Sequence, residues 1–169
     1  MSGSEPQRSI EISRATADEA ASIAAALHQA FAEYRSLYTA EAFAITTPTP
    51  TEIEQRWNEG PIWSVVKDGR LVGTVAAVAK GDALYIRSMA VVPSAKRQGI
   101  GKMLLVEVES FARAGDFQRM LLSTTPFLDD AIRLYQRFGF KRTPEGPHDL
   151  AGTPLFTMEK AVRKTRTIG

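Results

Sequence analysis

The chain contains no cysteine. That excludes disulfides, thiolate metal sites and a cysteine acyl-enzyme. Histidine is almost as scarce. Only His28 and His148 occur, too few for a histidine-based metal centre, so no metal is expected. No apolar run approaches the ~20 residues that a membrane span needs, and no membrane association is expected. Residues 1–9 lack the basic and apolar segments of a secretory signal. They read as a disordered leader, and a cytoplasmic protein is the default. Net charge is also small, +2 over 169 residues, so no global basic field points to nucleic acid. Positive charge is local instead. Lys160, Arg163, Lys164 and Arg166 crowd the C-terminus, with residues 161–169 as a basic tail, and Lys96, Arg97 and Lys102 form a second group.

What is present is ordinary globular material. Hydrophobic residues make up 44% and charged residues 24%, a balance that suits one soluble domain, placed at residues 10–160. Ile10 to Ser13 reads as a short strand. Thr16 and Glu19 have capping-box spacing and open a helix whose buried stripe is Ile23, Leu27, Ala30, Phe31, Tyr34 and Tyr38. Residues 46–51, rich in Thr and Pro, break it. Thr51 and Glu54 are the expected cap of a short second helix ending near Trp57. Strands follow at Ile62 to Lys67 and Arg70 to Ala79, joined by the hairpin signal Asp68-Gly69, and then at Ala83 to Val92.

A third helix carries Ile100, Leu104, Val108 and Phe111 on one face. Met120 to Thr124 is a strand. Pro126 to Phe138 is the last helix, ended by Gly139. Phe140 to Arg142 and Leu155 to Glu159 close the order, with a Pro- and Gly-rich loop at 144–154 between them. The order β-α-α-β-β-β-α-β-α-β-β implies an α/β (α+β) fold: a mixed, mainly antiparallel sheet of six to seven strands flanked by four helices.

The most informative stretch is Lys96-Arg97-Gln98-Gly99-Ile100-Gly101-Lys102. It lies between a strand stopped by Pro93 and the start of a helix. A turn of this kind points backbone N–H groups outward at the positive end of the helix dipole, which suits a pyrophosphate. Glycine lets backbone approach a ligand closely, and the basic side chains add charge-assisted contacts. The spacing lacks the third glycine of a dinucleotide fingerprint, and the Gly-Lys pair lacks the upstream glycine of a Walker loop.

The loop resembles the acyl-CoA pyrophosphate loop of the GNAT superfamily of N-acyltransferases, whose pattern is Arg/Gln-x-x-Gly-x-Gly/Ala. Lys96 stands at the first position, keeping the charge and losing the guanidinium fork. Two further segments carry the resemblance. Met89-Ala90-Val91-Val92-Pro93 resembles the family strand that precedes the loop, and Ala131 to Phe140, with Leu134, Tyr135, Phe138 and Gly139, resembles the second signature helix. About 30 residues separate the two signatures, room for one helix and one strand. The resemblance covers roughly residues 10–160 and implies the GNAT fold.

It further implies acetyl-CoA as co-substrate and transfer of an acetyl group to a primary amine, here a small-molecule acceptor, by direct attack in a ternary complex. In the family the strand before the loop bulges and splays, and its free backbone groups pair with the pantetheine arm. N–H groups near Ala90 or Val91 would serve the oxyanion. Tyr135 falls where many members place a tyrosine near the CoA sulfur, and a phenol of pKa ≈ 10 can protonate a departing thiolate. Leu128 departs from the asparagine frequent at its position. Many members dimerise, so a homodimer is admitted.

The base is open. Some members carry a glutamate on the strand before the loop, where this chain has Tyr85-Ile86-Arg87-Ser88. The candidates are Glu33, Tyr85, Ser88 through water, and His148. Glu33 is most simply a solvated helix charge, and His148 a surface loop residue. In this fold the acceptor lies between the first two helices and the late hairpin, which carry Tyr34, Arg35, Tyr38, Trp57 and the 144–154 loop. Arg87 serves a substrate carboxylate, the cofactor region or a neighbouring acid. The missing glutamate keeps an alternative alive, a non-catalytic acyl-CoA-binding sensor or partner-binding module.

Overall fold

A computed structural model describes residues 9–162 of the protein. Arg163, Lys164, Arg166 and residues 1–8 of the expected leader lie outside the described residues. The elements are β1 (Ile10–Arg14), α1 (Ala20–Phe31), α2 (Ala40–Thr46), α3 (Pro50–Gln55), β2 (Ile62–Lys67), β3 (Arg70–Lys80), β4 (Ala83–Val91), α4 (Ile100–Ala114), β5 (Arg119–Thr124), α5 (Asp129–Phe138), β6 (Lys141–Arg142), β7 (His148–Leu150) and β8 (Thr153–Ala161). The sheet runs β1-β2-β3-β4-β5-β8-β6, with β7 paired to β8. Every pairing is antiparallel except β4 with β5, which is parallel.

Alternation along β3 divides the core between the two faces of the sheet. Val75 and Ala77 join one cluster with Leu84, Ile86, Ile100, Leu104, Leu105, Val108 and Leu122. Ala76, between them, joins a second cluster with Ile23, Leu27, Ile53 and Ala90. Helices α4 and α5 thus cover one face, and α1 and α3 the other. Leu104, Leu105 and Val108 are fully buried, each worth about 1.5–3 kcal/mol of transfer free energy, and they fix α4 beneath the centre of the sheet.

The mixed, mainly antiparallel sheet with helices on both faces is as expected, but the count among the described residues is eight strands and five α-helices. The extra strand, β7, falls inside the expected 144–154 loop. It is three residues long and turns into β8 through Ala151 (φ +47°) and Gly152 (φ +92°), and Ala-Gly is not one of the usual hairpin pairs. The extra helix, α2, was hidden by a continuous apolar spacing. Helix α1 ends at Phe31 and tightens into a 3₁₀ segment over Ala32–Leu37. Tyr38 and Thr39 are then extended, and Thr39 caps α2 by accepting from the Ala42 N–H at 3.1 Å.

The cap of the next helix lies two residues earlier than expected. Thr49 and Glu52 form the capping box rather than Thr51 and Glu54, with Pro50 at the first helical position, where its fixed φ and missing N–H cost nothing. The last helix likewise starts at Asp129, not Pro126.

Candidate active site

Strands β4 and β5 pair for only four residues, Ala83 with Arg119 through Ile86 with Leu122. Beyond that β5 stays with β8, through Ser123 and Thr124, while β4 stays with β3. The two strands therefore part, and the stretch from Arg87 to Val91 has no neighbour on its β5 side. A bulge sharpens the departure. Ala76 pairs with Arg87 and Thr74 with Ala90, so Ser88 and Met89 on β4 oppose one residue of β3, and Ser88 takes φ +52°. Extra residues of this kind bend a strand and raise its twist. The result is a cleft of about 1170 Å3 that runs from the bulge to the start of α4.

At one end lies the basic loop. Arg97 (φ +66°) and Gly99 (φ +77°) are both left-handed and turn the chain into α4. Gly99 is the N-cap, so no side chain caps the first-turn N–H groups, and that turn holds no acid. Those amides and the dipole face a cleft edge formed by Lys96, Arg97 and Lys102, a site built for a multiply charged anion. The two glycines differ in role. A Cβ at Gly99 would meet nothing within 4 Å, whereas one at Gly101 would stand 2.6 Å from Leu134 Cδ2. Gly99 therefore serves the turn, and Gly101 serves the contact between α4 and α5. Arg133 and Arg137, one helical turn apart on α5, also line the cleft. Asp130 lines it too, bonded to Arg133 at 2.7 Å.

Midway stands Tyr135, buried on α5 with its ring edge-on to Phe140 at 6.0 Å. Desolvation pushes its phenol up to about 12, with the neighbouring Tyr38 adding to the shift. Tyr38 is also buried and raised by burial. Its ring packs on Phe127 at 4.9 Å. The adjacent Thr125, whose hydroxyl is buried, offsets part of that rise in Tyr38.

The other end of the cleft is polar and carries Tyr85, Arg87, Ser88 and Arg56, whereas Tyr34 stands beside the basic loop, its ring 6.0 Å from Lys96 Nζ. Arg87 is ion-paired to Glu59. Arg56 follows α3 and donates to Ser88 Oγ at 3.3 Å. Thr39, next to Tyr38, lies outside the cleft lining. Its N–H donates to Thr153 Oγ1 at 3.1 Å and its hydroxyl to the Ala151 carbonyl at 2.7 Å, tying α2 to the late hairpin.

Of the residues singled out in the sequence, the structure gathers Tyr34, Tyr85, Arg87, Ser88, Met89, Ala90, Val91, Lys96, Arg97, Gly99, Ile100, Gly101, Lys102 and Tyr135 around this one cleft. Five fall outside its lining. Gln98 accepts from Lys67 instead. Glu33 is bonded to Lys96 at 2.9 Å, which raises the lysine pKa and holds the carboxylate beside an ammonium. His148 is exposed on β7. Trp57 packs beside the α1–α3 cluster and Arg35 lies over Phe43. The sequence reading missed Arg56, Thr125, Arg133 and Arg137. The i, i+4 spacing of the last two was a usable signal, whereas Arg56 comes to Ser88 only through the fold. Among the described residues no group of three or more His, Asp or Glu gathers to hold a metal, and no helix is long and apolar enough to cross a membrane.

Comparison with known proteins follows this geometry. Over 134 residues the chain is 29% identical to YjgM, an uncharacterized N-acetyltransferase of Escherichia coli K12, covering 76% of this chain and 80% of that one. It is 30% identical over 105 residues to an N-acetylaspartate synthetase of Xenopus tropicalis, covering 59% of this chain but only 39% of the relative. In fold it is similar to the crystal structure of PaiA N-acetyltransferase from Thermoplasma acidophilum in complex with coenzyme A. There the TM-score is 0.74 at 19% identity, with 90% of this chain and 99% of that chain covered. The model of the acetyltransferase (GNAT) family matches residues 25–140, the span that holds the splayed strand, the basic loop and Tyr135, and the chain belongs to that family.

Proposed function

We propose that this protein moves an acetyl group from acetyl-CoA to a primary amine of a small molecule, by direct attack in a ternary complex. One observation carries the reading. The uncapped start of α4, the unpaired length of β4 and the Tyr135 phenol lie along a single continuous cleft. The residues present fit the co-substrate. First-turn amides of α4, with Lys96, Arg97 and Lys102, suit a pyrophosphate, and the free edge of β4 from Met89 to Val91 suits an amide-bearing arm added like a strand. Bound acetyl-CoA supplies an activated acyl group.

The protein's part is placement and proton control. N–H groups on β4 near Ala90 or Val91 offer donors to a developing oxyanion. Tyr135, held protonated, donates a hydrogen bond to the departing sulfur. Burial raises the phenol well above its usual value and so disfavours the phenolate, which makes a donated hydrogen bond its natural role. Glu33 and His148 lie outside the cleft lining, and Asp130 is bonded to Arg133. The amine proton therefore leaves through water beside Tyr85 and Ser88.

The shortage of free carboxylates also favours a second reading, a sensor that binds acyl-CoA without turning it over. Titration calorimetry with acetyl-CoA, with ATP as control, followed by an amine screen for CoA release, separates the two. One-site binding of acetyl-CoA alone and acceptor-dependent release support the transferase. Binding with no release from any amine supports the sensor. Absence of binding overturns both.

A further inference from the structure

Arg56 and Arg87 come from distant parts of the chain to one end of the cleft, and neither is fully satisfied there. Arg56 makes no ion pair among the described residues, and its side chain has Ser88 Oγ, 3.3 Å away, as its hydrogen-bond partner. Arg87 gives one terminal nitrogen to Glu59, but its Nε is buried with no partner at all. A buried guanidinium donor without an acceptor costs free energy comparable to a lost hydrogen bond. Burial and the nearby Arg87 charge act against the Arg56 cation, with Glu59 and Glu52 partly offsetting them, and an anion arriving here would compensate both. Glu59 is half exposed, and exposed pairs of this kind are weak. Glu59 takes one terminal nitrogen of Arg87, and both arginines line the cleft.

The two cations flank the β4 bulge. Arg87 precedes Ser88, and Arg56 binds Ser88 from the other side. Ala90 lies three residues on, just past the bulge, so at most about 10 Å away, the reach of three residues of strand. An arginine side chain and a small bifunctional molecule fill that distance. Two guanidinium forks beside a hydroxyl match a planar, bidentate anion.

We propose that Arg56, Arg87 and Ser88 form a carboxylate-binding site, so that the acceptor is an amino acid whose own carboxylate is held here while its amine reaches the β4 edge. This rests on the transferase reading above. It assigns the polar end of the cleft to specificity, with Arg56 and Arg87 as acceptor-binding residues.

The test compares each common L-amino acid with its carboxamide, read as CoA release from acetyl-CoA. At least one acid should exceed its amide ten-fold or more in kcat/KM. In Arg56→Gln and Arg87→Gln, with folding checked by thermal melting, that ratio should fall toward one. Equal use of acids and amides overturns the proposal, as does a preference that survives both substitutions. A second readout needs neither turnover nor variants. With CoA present, calorimetry should show N-acetyl-L-amino acids binding at least ten-fold tighter than their carboxamides, and equal affinity overturns the proposal. Failure of acetyl-CoA to bind would instead remove the transferase reading, so the two failures are told apart.

Discussion

Tyr135 is the residue whose surroundings bear most directly on chemistry. Its phenol is buried, and its proton is held up to about pH 12. A hydrogen bond from it to a developing thiolate is charge-assisted and worth about 1.5–3 kcal/mol. Tyr135→Phe should therefore lower kcat roughly 10- to 100-fold while the Kd for acetyl-CoA changes little. Single-turnover kinetics beside calorimetry checks this, and equal losses in both would remove the assignment. The same burial has a pH signature. Unfolded, the phenol ionises near 10 and folded near 12, so between those values the folded state keeps a proton the unfolded state has lost. The stabilisation is complete below about pH 10 and is lost as pH rises toward 12, at about 1.4 kcal/mol per unit. Urea melts at pH 9 and 11 should show a smaller alkaline loss for Tyr135→Phe than for the native chain. The position of Tyr135 was legible because its stripe on α5 is long and regular. The buried setting that sets its proton affinity was not, since Tyr38 and Phe140 reach it from other elements.

Among the elements, α4 carries a contrast that sequence spacing alone could not separate. Gly99 and Gly101 look equivalent in the motif, yet one holds a left-handed turn before open space and the other admits Leu134. Gly99→Val should cost roughly 1–2 kcal/mol of stability from the left-handed backbone, and its side chain would stand where a pyrophosphate must approach. Acetyl-CoA binding should fall beyond detection by calorimetry while the fold survives. Gly101→Ala should be far milder. The new Cβ displaces the end of the Leu134 side chain while the helix gains about 1 kcal/mol from Ala over Gly, so stability should change by less than about 1 kcal/mol and acetyl-CoA affinity little, as thermal melting and calorimetry would show. Elsewhere the long amphipathic helices and the Asp68-Gly69 hairpin were plain from periodicity and turn chemistry. Helix α2 and strand β7 were not. Both are short, and both are held by the Thr39 contacts to Ala151 and Thr153, more than a hundred residues away.

At the scale of the whole molecule those Thr39 bonds are a clasp between the first helical segment and the last hairpin. Thr39→Val removes the hydroxyl bond to Ala151 and the cap of α2, and loss of the cap alone costs about 1 kcal/mol. Because the clasp holds the hairpin whose Leu150 and Leu155 line the cleft, steady-state kinetics should show a raised KM for the amine with the acetyl-CoA Kd nearly unchanged. A matching rise in the acetyl-CoA Kd would place the clasp at the wrong end. The short parallel seam between β4 and β5 has a wider consequence. Among the described residues, those before Gly115 build the β1–β4 side with α1 to α4, and those after it build the β5–β8 side with α5. The sheet is thus two consecutive halves of the chain joined by four residue pairs, with the helix contact at Gly101 and Leu134 behind them. A ligand lodged in the seam touches both halves and becomes mortar between them, and the cohesion of the molecule rises with the ligand's concentration over its Kd.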